Sequence, residues 1–260
     1  MIIRTEEVLR KRVLEKSYLV LYCMETNIYL ESRYTSEERK RLFIFFGCTL
    51  EGKKKYVSCI LEPEKNKTSC WYDFFQEIKS RGNEKIIFGL LPRLRELREA
   101  IKIAYSDIEI FDSCDGMIKK LRKYNSYKTK DEIYREIKKL YLAEDEVEYE
   151  INYKDFISKY SKHAFIMDIA GEEVKELRKN YKYPRSVRRI IYAFYYIIEM
   201  EKRFDELCNN RMYSSKETFI EDCMTFINRS EAQVHYKRDE WAEVISELYD
   251  QKRDMIKPYL

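Results

Sequence analysis

The chain has 260 residues, enough for one large domain with a well-developed hydrophobic core. Hydrophobic residues make up 45% of it and charged residues 37%, while the formal net charge is only +4. This composition excludes a largely disordered chain and a polycation, so a nucleic-acid surface must come from local clustering of Lys and Arg. The charged N-terminal segment MIIRTEEVLRKRVLEKS and the absence of long apolar runs predict neither a signal peptide nor a membrane span.

The first part of the chain has the hydrophobic periodicity of alternating strands and helices. The predicted elements, in chain order, are helix 4–16, strand 18–24, strand 40–50, strand 55–62, helix 68–82, strand 84–91, helix 92–106 and strand 107–113. The EGKK turn between the second and third strands predicts a hairpin. Three meandering strands followed by α-β-α-β units predict an α/β fold with an RNase H-like mixed sheet, in which three antiparallel strands are joined by parallel ones.

The character of the sequence changes after residue 114. Residues 115–180 are rich in Lys, Glu and Tyr, with charges at i,i+4 spacing and one apolar stripe, which predicts a helical insertion. Further helices are predicted at 186–208, 215–228 and 238–256. We therefore expect a first core part at 1–114, the helical insertion at 115–183, and C-terminal helices at 184–260 that complete the core and flank the sheet.

Several segments occur in an order that resembles the mutator-type DDE transposases of bacteria. They are YLVLYCMETNIYLES at the first strand, EIKSRGNEKIIFGL before and within the fourth, AIKIAYSDIEIFDSCDGM around the fifth, and YPRSVRRIIYAFYYIIEMEKRFDEL after the insertion. The VRRIIY block is the most specific of these. The resemblance covers roughly residues 5 to 250 and implies an RNase H-like core that acts on DNA in transposition and recombination.

The resemblance also implies where catalytic acids would lie, and those positions carry no carboxylate. The acids of the family fall on Met24, on Leu91 or Pro92, and on Ile198. Glu25 and Glu199 are each one residue away and are the weak candidates for catalytic residues. Such enzymes use two divalent metal ions held by acidic side chains, and Mg²⁺ prefers oxygen ligands. The sequence therefore predicts a transposase-like protein without catalysis and without a metal, retained as a DNA-binding or interaction module.

An alternative stays open at this point. The acids could be relocated, for example to Glu25, to Asp112 or Asp115, and to Glu199, giving an active transposase or nuclease that needs Mg²⁺ or Mn²⁺. A residue displaced by one on a strand faces the opposite side of the sheet, which argues against Glu25 unless a bulge intervenes. A third possibility is a scaffold with no role in nucleic-acid binding.

Basic runs interleaved with tyrosines and apolar residues indicate DNA as a possible partner. Solvated helix faces have the same pattern, so the interpretation is a hypothesis. A protein partner or a second copy of the chain is also possible. The candidate nucleic-acid-binding residues are Arg185, Arg188, Arg189, Lys119, Lys120, Arg122 and Lys123.

The cysteines and histidines predict no metal site. The seven cysteines are scattered without a C-x-x-C pair, which is typical of a protein of the reducing cytoplasm with buried thiols. Cys114 is expected to be a structural thiol, and neither His163 nor His235 has ligand spacing.

Overall fold

The computed structural model describes residues 12–30, 38–63, 67–113, 127–192 and 238–259, together with 117, 121, 218–219 and 221–222. Its strands are β1 Ser17–Leu30, β2 Glu38–Cys48, β3 Lys54–Leu61, β4 Lys85–Leu91 and β5 Glu109–Asp112. They form one five-stranded sheet in the order β3-β2-β1-β4-β5. β1, β2 and β3 pair antiparallel, whereas β4 pairs parallel with both β1 and β5. The predicted RNase H-like mixed sheet is confirmed.

The turn between β2 and β3 joins them as the predicted hairpin. Gly52 has φ +78°, a conformation that L side chains rarely adopt. The Thr49 hydroxyl accepts hydrogen bonds from the backbone N–H groups of Glu51 and Lys53, both at 3.2 Å. The side chain of Thr49 therefore stabilises the turn that sets the register of the hairpin.

One face of the sheet is covered by two helices, α1 Thr68–Ser80 and α2 Arg95–Ala104. The predicted apolar face of α1 is buried as expected, through Trp71, Phe74, Phe75 and Ile78. The ring centroids of Phe43 and Trp71 lie 5.0 Å apart in an edge-to-face contact. Side chains alternate along a strand, so Leu21 and Cys23 of β1 also face this layer.

The opposite face of the sheet is covered by the helices that follow β5. In the described part of the chain they include α3 Tyr127–Leu142, α4 Glu146–Tyr160, α5 Ala164–Ile166, α6 Glu172–Glu176, α7 Arg185–Tyr192 and α8 Arg238–Ile256. A π-helical turn, Met167–Gly171, separates α5 from α6, and a 3₁₀ turn, Leu177–Lys182, follows α6. Tyr22 and Met24 of β1 share one continuous core with Ile137 of α3 and Ile191 of α7. The helices of the predicted insertion therefore pack directly against the sheet.

Two predicted elements differ from the structure. Residues 12–16 are not helical, because their backbone is held against the α1–β4 connection: Leu14 N–H donates to Arg81 O at 2.8 Å, and Glu84 N–H donates to Lys16 O at 2.7 Å. Strand β1 continues beyond the predicted end at residue 24, because β2 pairs with it as far as Leu30. Residues 4–11 and most of 193–237, where helices are also predicted, lie outside the described residues.

Within the described ranges, none of the helices combines the length and the apolar character needed to cross a lipid bilayer. The division of the chain at residues 114 and 183 stays a prediction.

Candidate active site

The carboxyl ends of the parallel strands lie at one edge of the sheet. Tyr22 is the last residue of β1 that pairs with β4, where it lies opposite Leu90, and Leu91 lies opposite Asp112 at the end of β5. Met24 is two residues beyond Tyr22 on the same face of β1. We call the region defined by Met24, Leu91 and Asp112 the strand-end edge; in open α/β sheets, ligands bind outside the carboxyl ends of the strands.

The residues at the expected acidic positions of the strand-end edge are apolar. Met24 is 2% exposed and belongs to the core that contains Ile44 and Leu90. Leu91 is completely buried in the layer formed by α1 and α2, and Pro92 follows it half-buried at the surface. None of these side chains carries an oxygen atom that could bind a metal ion.

Glu25 lies on the other side of β1 from Met24. Consecutive residues of a strand face opposite sides of the sheet, so Glu25 points to the α1–α2 layer, as Cys23 does. Its carboxylate lies 3.5 Å from Arg41 Nη1, and Arg41 also binds Glu62, with Nε 2.7 Å from Oε2. The hydrogen bond from Arg41 outweighs the effect of burial and lowers the pKa of Glu62. Glu25 is therefore part of a network of charged residues on the face opposite Met24.

Asp112, another candidate acid, is bound by two arginines. Arg93 donates to Oδ2 from Nη2 at 2.8 Å and from Nε at 3.1 Å, while Arg98 Nη2 lies 2.6 Å from Oδ1. Arg98 also donates to the carbonyl oxygens of Leu91 and Pro92, both at 2.8 Å. Burial alone would raise the pKa of Asp112, but the charge of Arg98 and the hydrogen bonds from both arginines lower it below its ordinary value.

The remaining candidates are dispersed. Asp107 lies just before β5, at the opposite end of the strand from Asp112, and pairs with Lys85 Nζ at 2.5 Å on the surface. His163 is exposed beside the ring of Tyr160, at a centroid distance of 6.1 Å. The other candidates lie outside the described residues: Cys114, Asp115, Ile198, Glu199 and His235.

The arginines of α7 have different environments. Arg188 is 2% exposed, and its guanidinium lies 3.9 Å from the ring centroid of Tyr181. It donates to the carbonyl oxygens of Tyr183 at 3.0 Å and of Ala143 and Glu144, both at 2.8 Å. This guanidinium is held inside the protein by these backbone contacts, unlike the exposed arginines expected to bind nucleic acid.

Arg185 and Arg189 are exposed on the same helix. Arg185 pairs with Glu144 at the junction of α3 and α4. Arg189 has an accessible side chain on the face opposite the buried residues of α7. Four other predicted nucleic-acid-binding residues lie outside the described residues: Lys119, Lys120, Arg122 and Lys123.

Sequence reasoning missed the role of Arg93 and Arg98. Both arginines lie in the basic segment RLRELR, 93–98, and its local pattern does not indicate which arginine meets Asp112. A signal was present, because adjacent parallel strands end at the same edge of a sheet. Arg93, just after β4, and Asp112, at the end of β5, are therefore neighbours.

A comparison with protein families identifies the family to which the chain belongs. The profile of the family described as Transposase, Mutator family, matches residues 4–204. The chain belongs to the Mutator family of transposases. The match includes the sheet, helices α1 to α6 and the VRRIIY block of α7, whereas α8 lies beyond it. No curated protein sequence matches the chain with significance.

The family resemblance implies a pair of divalent metal ions, and the described residues of this Mutator-family protein do not fit one. Mg²⁺ requires oxygen ligands in near-octahedral geometry, and Met24, Leu91 and Pro92 supply none from their side chains. Throughout the part of the chain that the structure describes, no group of three or more His, Cys, Asp or Glu residues could hold a metal ion. Glu25 and Asp112 each contact arginines instead.

Proposed function

We propose that this Mutator-family protein associates with DNA without cutting or joining it. The observation that carries the proposal is the burial of Met24, at the position of the first acid, in an apolar core. Strand transfer by two metal ions needs acidic side chains that hold the ions about 3.5–4 Å apart. A thioether that packs against Ile44 and Leu90 cannot take the place of a carboxylate.

Association with DNA is supported by the family and by exposed cations on α7. Arg185 and Arg189 project from α7, the helix that contains the VRRIIY block, and both can contact phosphate groups without disturbing the core. The basic run 119–123 remains part of the proposal. Arg188 does not, because its guanidinium binds backbone carbonyl groups. A protein partner or a second copy could share this role as an interaction module.

The alternative of an active enzyme with relocated acids requires Glu25 and Asp112 to act as metal ligands. Each would first have to leave its arginine partners, which lie at 3.5 Å from Glu25 and at 2.6 and 2.8 Å from Asp112. Metal binding would then leave Arg41, Arg93 and Arg98 beside a divalent cation, and like charges repel at such distances. The arrangement favours the inactive protein.

The first experiment measures catalysis and metal binding together. Purified protein is incubated with supercoiled and linear DNA in Mg²⁺ or Mn²⁺, and Mn²⁺ binding is measured by electron paramagnetic resonance. We expect no metal-dependent nicking or joining and no tight Mn²⁺ site. Product formation that is lost in Glu25→Gln or Asp112→Asn would overturn the proposal and establish relocated acids.

The second experiment measures DNA binding. Fluorescence anisotropy with a labelled duplex should show an affinity that falls steeply with salt, because each phosphate contact releases a bound counterion. Arg189→Gln should weaken binding and reduce the slope of log K against log salt by about 0.9. Arg178→Gln is the matched control, since Arg178 is an exposed arginine that pairs with Glu146 and Glu150 on α4. Absence of any salt-dependent binding would refute the proposed association.

The cytoplasm is the compartment that this proposal assigns to the protein. Among the described cysteines, Cys48 is a buried free thiol and Cys70 is a free thiol as well. Free thiols persist in a reducing compartment, where DNA of the cell is also accessible.

A further inference from the structure

We propose that Arg93 and Arg98 form a subsite at the strand-end edge that binds a phosphate group of the DNA backbone directly. The inference rests on the proposed association with DNA and names a contact for it. The site lies next to Leu91 and Pro92, where the family resemblance implies the second metal-binding acid. A pair of guanidinium groups thus lies in the region where the family resemblance implies that a metal ion contacts the phosphate.

The geometry fixes both arginines in place. Arg98, on α2, donates to Leu91 O and Pro92 O at 2.8 Å, so its guanidinium is attached to the end of β4. The carboxylate of Asp112 binds Arg98 through Oδ1 and accepts a hydrogen bond from Arg93 at Oδ2. Two guanidinium groups therefore converge on one carboxylate. Such preorganisation reduces the entropy lost when a ligand binds.

The charge balance of this cluster favours an anion. Two permanent cations share a single carboxylate at hydrogen-bonding distance, which leaves one positive charge in excess. The charge of a further acid, Glu173, also acts on Arg93. Side chains of Arg93 and Arg98 are 41% and 26% exposed, so a ligand can reach them.

Unused donors point to the ligand. A guanidinium group has five N–H donors, and the contacts of Arg93 and Arg98 use only Nε and Nη2 among the described residues. Nη1 of each arginine is left for a ligand. Arginine binds phosphate oxygens with charge-assisted and often bidentate hydrogen bonds, which suits a phosphodiester. Asp112 is a positioning residue here: it orients both arginines and reduces their net charge.

The test compares two arginines of the same segment. Arg93→Gln removes a cation that pairs with Asp112, whereas Arg95→Gln removes one that is 83% exposed and pairs with Glu99. Arg98 is not substituted, because its bonds to β4 also support the fold. We expect Arg93→Gln to weaken binding of a labelled duplex about tenfold and to lower the salt slope by about 0.9, with Arg95→Gln close to wild type. Equal behaviour of the two variants would overturn the subsite.

Asp112→Asn separates phosphate binding from metal binding. If the arginines bind phosphate, the amide oxygen of Asp112→Asn still accepts a hydrogen bond that orients an arginine, and loss of the competing charge should tighten DNA binding by about fivefold at low salt. If Asp112 is instead a ligand of a metal required for DNA binding, the same variant should bind more weakly. Weaker binding by Asp112→Asn with an intact thermal unfolding transition would therefore count against the subsite.

A direct probe distinguishes failure of the subsite from failure of the proposed function. The Nε–H signals of arginine are followed by ¹⁵N NMR while a thymidine dinucleotide, which carries one phosphodiester, is added. A saturable shift of the signal that disappears in Arg93→Gln supports the subsite, even if the wild type binds no duplex and the proposed function fails. No shift of that signal overturns the subsite, even if duplex binding persists through other residues.

Discussion

Replacement of Arg188 should destabilise the whole protein, because its guanidinium joins three segments. It donates to the carbonyl oxygen of Tyr183, just before α7, and to those of Ala143 and Glu144, between α3 and α4. It also stacks on Tyr181 with a separation of 3.9 Å. Arg188→Met keeps an apolar stem of similar length but leaves these three carbonyl groups without their charged donor.

The expected loss follows from the contacts. Hydrogen bonds to charged groups contribute about 1.5–3 kcal/mol each, and removal of the buried charge recovers part of this, since burying it was costly. One donor atom, Nη1, has no partner among the described residues, which further lowers the net contribution of Arg188 to the free energy of unfolding. We expect Arg188→Met to lower the free energy of unfolding by about 3–5 kcal/mol. The corresponding fall in Tm is about 10 °C for a chain of this size.

The assay is urea denaturation followed by far-UV circular dichroism, with a thermal scan alongside. Arg189→Met is the matched control: it is the next residue of α7, is exposed, and should change stability by less than about 0.5 kcal/mol. Arg188→Lys should be intermediate, because one ammonium group cannot reach carbonyl groups in all three directions. If Arg188→Met is as stable as Arg189→Met, the reasoning about buried donors is refuted.

Three further predictions concern the core and its edges. Met24→Asp should lower the free energy of unfolding by several kcal/mol, and Mg²⁺ should not restore it in urea titrations; a Mg²⁺-dependent gain would contradict an apolar site. Burial lowers the pKa of Lys54 to about 8, so the unfolded chain binds more protons above that pH; stability should rise from about pH 8 to 9.5, and Lys54→Met should remove this rise. Gly52→Ala should cost about 1–3 kcal/mol, since a Cβ atom would lie 2.8 Å from Trp241 at φ +78°; unchanged stability would exclude strain.

The sheet could be predicted because its strands have strong local signals. The run from Tyr18 to Cys23 is apolar at every position, as expected for a strand covered on both faces, and the turn at Gly52 marks the hairpin. The extension of β1 to Leu30 could not be predicted, because Glu25 and its polar neighbours resemble a strand end. These residues continue the strand because β2 supplies backbone partners and Arg41 supplies a charge partner.

The environments of the α7 arginines show which part of the candidate site a basic run alone cannot predict. Arg188 and Arg189 are adjacent in one basic run, and the run predicts the same role for both. The helical repeat contained the distinction: Arg188 falls on the stripe that includes Val187 and Ile191, which are both buried, whereas Arg189 falls outside it. The partners of Arg188, Ala143 and Glu144, are about 45 residues away in the chain, so no local pattern could identify them.

The register of β1 also limits how a carboxylate could come to face the strand-end edge by mutation. Glu25 cannot be recruited by a neighbouring point mutation, since its direction is set by the pleat and only an inserted or deleted residue would reverse it. Direct replacement at residue 24 is no easier, because methionine has a single codon and the aspartate codons differ from it at every base. The shortest routes can pass through isoleucine and valine, which are apolar, so selection for folding would oppose mainly the last step, which places a carboxylate among the apolar residues around Met24.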